Sequence, residues 1–400
     1  MIFALAGYGG RGDIEPCAAV GRELLRRGHE VRMVVPSNML GFVESAGLAA
    51  VAYGQGTQER ISAATDFVSS DRSPVSKLRG GLESVGRIWA EKGATLMTLA
   101  ENADLLLAGM SEQGPAANIA EYHRIPLAAL HFFPAEGLTS SSGALYSGLM
   151  KQAADAQRRA LGLPDASASS QQPLADDGPL EIQAYDEILF PEASVNWGAR
   201  RAQRPFVGAL TLELPTDADE EVLAWIAEGR PPIYFGFGST PVQSPFHAAA
   251  MISAACAELE ERALICSGAS DFSPVPDSGH TMLVGAVNHA TILPACRAVV
   301  HAGGAGITAA GLRAGKPTLI LWVWSDQPLW AGAVNQLEVG SGRPFFTTTQ
   351  ESLVADLRSI LTPHCVTRAL EVAAQMTKPA ESVATAADLL ENAARRGRSD

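Results

Sequence analysis

His301-Ala302-Gly303-Gly304-Ala305-Gly306-Ile307-Thr308 lies between residues 297–301, which read as a buried parallel strand, and residues 308–314, which read as a helix stopped by Gly315 and Pro317. The glycines therefore occupy a strand-to-helix turn. Glycines there let the backbone approach an anion closely, and the first helical turn offers unpaired N–H groups at the positive end of its dipole. A diphosphate fits such a turn, and His301, at the carboxyl end of the strand, can donate a further hydrogen bond to a phosphate oxygen. The next strand, 318–323, leads to Asp326-Gln327 at the same edge of the sheet, where a sugar would follow the diphosphate. Taken singly, the pieces have plain readings: glycines for tight packing, a satisfied core histidine, and Asp326 as a helix cap. Their combination points to a ligand site.

Working outward, the chain alternates strand-like and helix-like segments. In the first half, strands are expected at 2–7, 30–35, 104–108 and 126–133, with a helix at about 15–27; in the second, at 233–238, 263–267, 281–286, 298–301 and 318–323. This alternation predicts α/β architecture, with two Rossmann-like doubly wound parallel sheets in succession. Residues 205–215 read as an extended connection, giving expected domains of 1–208 and 209–380. Residues 54–81 and 136–147, rich in polar or breaker residues, read as loops at the strand ends, where ligands of such sheets bind.

Composition narrows the class. A chain of 400 residues exceeds the usual single core, which supports two domains. No apolar run approaches the roughly 18 residues of a membrane-spanning helix. Met1 runs straight into a strand pattern with no basic leader, and five scattered cysteines without CxxC spacing argue against a disulfide framework or a zinc site. A cytoplasmic protein without a metal is expected. The net charge of −13 argues against nonspecific nucleic-acid binding. Arg200, Arg201 and Arg204 offer a local contact for an anion or a membrane surface, although a solvated face is the plainer reading.

Near the amino terminus, Gly7-Tyr8-Gly9-Gly10-Arg11-Gly12 matches GxGxxG after a strand. A nicotinamide site also needs an acid at the end of the second strand, and here that strand ends Val34-Val35-Pro36-Ser37-Asn38. Gly12-Asp13-Ile14-Glu15-Pro16 instead places a carboxylate at the carboxyl edge of the sheet. Asp13 reads either as a helix N-cap, with Pro16 in the first turn, or as a general base for an acceptor hydroxyl.

These motifs, together with Pro232-Ile233-Tyr234-Phe235-Gly236-Phe237-Gly238-Ser239-Thr240, resemble the GT-B glycosyltransferases of actinobacteria. The resemblance extends over nearly the whole chain. It covers the glycopeptide-antibiotic enzymes and, more closely, the mycobacterial enzymes that glycosylate cell-envelope glycolipids and glycopeptidolipids. It implies an inverting, metal-independent transfer of a hexose or deoxyhexose from a UDP- or dTDP-sugar, a cosubstrate, with no separate cofactor. The acceptor would be the hydroxyl of a lipid, lipopeptide or other hydrophobic or amphipathic molecule. The acceptor would bind the first domain and the donor the second, across a cleft, with residues 381–400 crossing back as a helix.

By the same resemblance Asp13 is the base. Ser239, His301, Gly304, Ala305 and Gly306 hold the donor diphosphate, and Asp326 and Gln327 hold the sugar. Val287 lies in the loop Val287-Asn288-His289, whose backbone meets the nucleobase. His131, at the end of a first-domain strand, lines the acceptor pocket or has a structural role. A monomer or weak dimer is expected, with peripheral contact at the inner membrane face. The chain departs from the family at Ala302, where a second His is frequent, and at Ile307, where Thr is usual and could add a phosphate contact. Two other readings remain: a noncatalytic nucleotide-sugar-binding helper, suggested by Ile307, and a nicotinamide oxidoreductase, suggested by GxGxxG.

Overall fold

The computed structural model describes residues 1–54, 56, 74–134, 141–164, 178–195, 197–238, 240, 244–268, 272 and 279–397. The chain divides into two compact units, one of residues 1–184, 192–212 and 379–400, the other of residues 185–191 and 213–378.

In the first unit, β1 (Ile2–Ala6), β2 (Glu30–Val35), β3 (Ala50–Ala52), β4 (Leu105–Gly109), β5 (Leu127–His131) and β6 (Leu180–Gln183) form one parallel sheet in the order β3-β2-β1-β4-β5-β6. In the second, β7 (Ile233–Gly236), β8 (Ala263–Cys266), β9 (Thr281–Val284), β10 (Ala298–His301), β11 (Thr318–Trp322) and β12 (Gly340–Pro344) form another, ordered β12-β11-β10-β7-β8-β9. Counted from each unit's own first strand, both orders are 3-2-1-4-5-6. The strand order therefore reverses between β1 and β4, and again between β7 and β10. Ligands of open α/β sheets bind outside the carboxyl ends of the strands at such a reversal.

The central strands are apolar because helices cover both faces of each sheet. Every residue of Leu105–Gly109 and of Ala298–His301 is buried, as strands with no solvated face require. Each fully buried Val or Leu contributes about 1.5–3 kcal/mol, which makes these strands firm supports for the turns they carry.

The structure departs from the sequence reading in three places. The first helix spans Arg11–Arg26, four residues earlier than expected, so Pro16 lies in its second turn and Gly10 is its N-cap. Pro16 has no amide hydrogen, which leaves the Gly12 carbonyl without its helical donor. Parts of the two expected loops are helical, in Pro74–Leu99 and Ser141–Ala160, while residues 55, 57–73 and 135–140 lie outside the described residues. Finally, β3, β6 and β12 are strands that the pattern of the sequence did not indicate. Among the described residues, no helix is long and apolar enough to cross a membrane.

Candidate active site

In the second unit the turn after β10 is built around His301. The side chain is 0% exposed, and its Nδ1 accepts a 2.9 Å hydrogen bond from the Gly303 amide. Burial, reinforced by His289, drives its pKa down to about 3. A neutral imidazole whose Nδ1 is an acceptor carries its proton on Nε2, and that nitrogen is buried without a hydrogen-bond partner. His301 therefore holds an unused donor at the carboxyl end of the strand. Gly303 has φ +96°, and a Cβ there would approach Ile320 Cγ2 to 2.8 Å; only glycine permits the turn.

Gly304 is the N-cap of the helix Ala305–Arg313 and supplies no side-chain cap. The amides of Ala305, Gly306 and Ile307 precede the first intrahelical acceptor, as in any helix start. The first such bond, from the Thr308 amide to the Gly304 carbonyl, is 3.1 Å. A Cβ on Gly306 would meet nothing within 4 Å, so that side of the turn is open. Ile307 packs against the apolar cluster of Tyr234, Val287 and Ile292, and the Thr308 hydroxyl is committed to the Gly304 carbonyl at 2.7 Å. Ser239 lies outside the described residues.

Asp326 and Gln327 start the helix Gln327–Gln336 beyond β11. Asp326 Oδ2 accepts from Trp330 Nε1 at 3.0 Å, one turn on, and desolvation raises its pKa. Gln327 is 6% exposed. Its Oε1 accepts from the amides of Val323 and Trp324 at 2.7 and 3.1 Å, and its Nε2 donates to Thr240 Oγ1 at 3.2 Å. Gln327 thus ties the loop after β11 to the end of β7, and Asp326 is the more accessible of the two. Val287 is 2% exposed, its side chain in the core. The following residue, Asn288, donates its amide to Asp219 Oδ1 at 2.8 Å and accepts from the Ala290 amide at 3.1 Å.

In the first unit, Asp13 is the third residue of its helix rather than the N-cap, and its Oδ2 accepts from the Gly10 amide at 2.8 Å. Gly9 has φ +142°, and a Cβ on it would fall 2.1 Å from that oxygen. His131 is 8% exposed, with Nε2 3.7 Å from Glu181 Oε2 and 3.4 Å from Gln113 Nε2. Glu181 in turn pairs with Arg204 at 2.9 Å, so His131 belongs to a polar network joining β5, β6 and the chain beyond. Arg204 also stacks on Trp197, and Arg201 bonds Ser194 at 3.2 Å; two of the three arginines are engaged within the unit. Sequence reasoning missed Lys92 and Glu112, a buried ion pair at 2.6 Å beside Tyr8 and Tyr53. Nothing in the spacing of these four residues announces that they meet. Among the described residues, no group of three or more His, Cys, Asp or Glu could hold a metal ion.

Residues 3–134 match the glycosyltransferase family 28 N-terminal domain, and residues 250–391 match the C-terminal domain of erythromycin biosynthesis protein CIII-like proteins. An uncharacterized glycosyltransferase of Mycobacterium tuberculosis is 55% identical over 419 aligned positions that cover 100% of both chains. The fold is similar to that of a kitacinnamycin glycosyltransferase, with TM-score 0.71, 19% identity and 98% of each chain covered. It is also similar to that of the glycosyltransferase VinC, solved in complex with dTDP, with TM-score 0.67, 16% identity and 99% and 100% coverage. With a relative more than half identical along the entire chain and two sheets of this order, the chain belongs to the glycosyltransferase family and has the GT-B fold.

Proposed function

We propose that this enzyme transfers a hexose or deoxyhexose from a UDP- or dTDP-sugar to a hydroxyl of a lipid, lipopeptide or other natural-product acceptor, with inversion at the sugar carbon. The observation that carries the reading is the Nε2–H of His301, a donor kept neutral and buried with no partner, beside a helix start capped only by glycine. Charge that develops on a leaving diphosphate is met by such preorganised donors. Ser239, three residues beyond β7 in the sequence, is the proposed source of a further hydroxyl. Asp326 takes a sugar hydroxyl, Gln327 holds the loop that presents it and offers its amide, and the backbone at Val287 meets the base.

Asp13 removes the acceptor proton as the new glycosidic bond forms. Its oxygens sit at the carboxyl edge of β1, with Oδ2 anchored by the Gly10 amide. Donor stabilisation by these side chains and amides asks for no metal. The dTDP bound to VinC favours dTDP as the nucleotide. A cytoplasmic enzyme acting at the inner membrane face accords with a lipid acceptor.

The test compares wild type with Asp13→Asn in transfer from dTDP-glucose and UDP-glucose to lipopeptide and polyphenol acceptors. The product's anomeric configuration is read by NMR. Loss of the base is expected to lower turnover about 10²–10⁴-fold, with nucleotide affinity intact. Equal rates would remove Asp13 from the mechanism, and a retained anomer would remove inversion.

A further inference from the structure

Four side chains that the reaction as described leaves unused are packed together at the carboxyl edge of the first unit's sheet. Lys92 is 4% exposed and Glu112 0%, with Lys92 Nζ 2.6 Å from Glu112 Oε1. Tyr53, 0% exposed, donates its hydroxyl to Glu112 Oε2. Lys92 Nζ stands 3.3 Å from the centroid of the Tyr8 ring and 4.9 Å from that of Tyr53. Withdrawing an ammonium and a carboxylate from water costs several kcal/mol per ion in general, and apolar residues of the same volume hold a core at least as well. Stability alone gives a weak reason for this pair.

Its location gives a stronger one. Glu112 closes the 3-10 turn Met110–Glu112 directly after β4, and Tyr8 follows β1, the neighbouring strand at the point where the sheet order reverses. Tyr8 opens the turn that delivers Asp13. Its carbonyl accepts from Ser111 Oγ at 2.8 Å, so the segment after β4 grips Tyr8 by the backbone as well as through Lys92 over the ring. Gly9 and Gly10 come next, and both abut the Asp13 carboxylate: the Gly10 amide bonds Oδ2 at 2.8 Å, and the Gly9 backbone leaves no room there for a Cβ. Any displacement of Tyr8 is therefore passed to Asp13 across two residues.

We propose that Lys92 and Glu112 are positioning residues, a buried pair that fixes the Tyr8 ring and thereby the placement of Asp13 toward the acceptor hydroxyl. The inference rests on Asp13 being the base. Neither Lys92 nor Glu112 touches substrate in this scheme. Their effect runs through the turn 8–10.

The test uses the full chain as wild type, Asp13→Asn, Lys92→Met/Glu112→Gln, Tyr8→Phe and Tyr8→Leu. The double substitution removes both charges together and keeps an acceptor for Tyr53. Turnover of dTDP-glucose and UDP-glucose with a phenolic acceptor, donor KM and the thermal midpoint are measured for each. We expect the double variant and Tyr8→Leu to lose kcat about tenfold or more, the scale set by misplacing a reacting group by the order of 1 Å. Donor KM should stay at the wild-type value, and Tyr8→Phe, which keeps the ring, should retain wild-type kcat. Wild-type kcat in the double variant, with Asp13→Asn inactive, overturns the positioning role and leaves the base intact. Should the double variant fail to fold, equal kcat in Tyr8→Leu and Tyr8→Phe overturns it. Asp13→Asn as active as wild type overturns the reading of the base, and this inference with it.

Discussion

At the scale of the residue, His301 shows what a residue type alone leaves open. The sequence placed a histidine at a strand end before glycines; only the Gly303 amide bonding Nδ1 reveals which ring nitrogen keeps its proton. The same burial has a consequence for stability. The folded pKa is depressed from 6.5 to about 3, so between those values the unfolded chain binds a proton that the folded chain does not. Stability from this site rises with pH across that window and is lost as pH falls through it. The difference in thermal midpoint between wild type and His301→Gln is expected to shift against wild type as pH is lowered from 7 to 4. An unchanged difference would show that His301 titrates normally. Ile307, which the family comparison marked as a weakness, packs in the Tyr234–Val287–Ile292 cluster. Ile307→Thr should cost about 1–2 kcal/mol of stability without tightening dTDP binding. Tighter binding in calorimetry would mean that position 307 faces the phosphates after all.

At the scale of the element, what could be read was the apolar strand, and what could not was the strand held by its neighbours. Residues 30–35 and 298–301 were legible, because Val31, Met33, Val34 and Val35 in one and Ala298-Val299-Val300 in the other are the apolar residues that a parallel strand needs. Gly340-Ser341-Gly342-Arg343-Pro344, which the strand pattern did not include, is β12, paired along β11. Its glycines serve close approach: a Cβ at Gly340 would lie 1.8 Å from the Thr318 carbonyl oxygen, and one at Gly342 2.6 Å from Ala331 Cβ. Pro344, at the strand's end on the sheet edge, removes no ladder bond that an interior strand would need. Gly340→Ala must push β12 away from β11 and should destabilise the second unit by about 1–3 kcal/mol or more, measured by urea unfolding. A midpoint within error of wild type would show that the edge strand yields freely. The first helix was misplaced for the opposite reason. Pro16 and two glycines suggest a late start, yet an Asp13 carboxylate bonding the Gly10 amide stabilises the helix from Arg11.

At the scale of the whole molecule, the two units repeat one strand order but fill their glycine turns differently, and this difference supports the proposal that a nucleotide diphosphate binds the second unit. In the first unit the turn before Arg11–Arg26 already contains an anion, with Asp13 Oδ2 on the Gly10 amide and against Gly9. A dinucleotide pyrophosphate would have to displace that carboxylate or sit beside its charge, and β2 ends at Val34-Val35 and is followed by Pro36-Ser37-Asn38, with no acid for a ribose. In the second unit the helix after β10 starts at Gly304 with no side-chain cap, and His301 adds a neutral donor. The GxGxxG match therefore marks the turn that bears the proposed base, and the less regular glycine turn after His301 is the one we propose for the phosphates. Glycine spacing alone does not separate the two, because both are glycines between a strand and a helix; the acid missing after β2 and the Asp326-Gln327 pair beyond β11 do. Thermal unfolding with dTDP, UDP and NAD separates them. At ligand concentrations about 100 times Kd a single site stabilises by about 2.7 kcal/mol, so dTDP or UDP should raise the midpoint in wild type and in Asp13→Asn alike. His301→Ala should abolish most of that rise, and NAD should give none. An NAD-induced rise that Asp13→Asn enhances would instead place the nucleotide in the first unit's turn, where removing the carboxylate's charge makes room for phosphate.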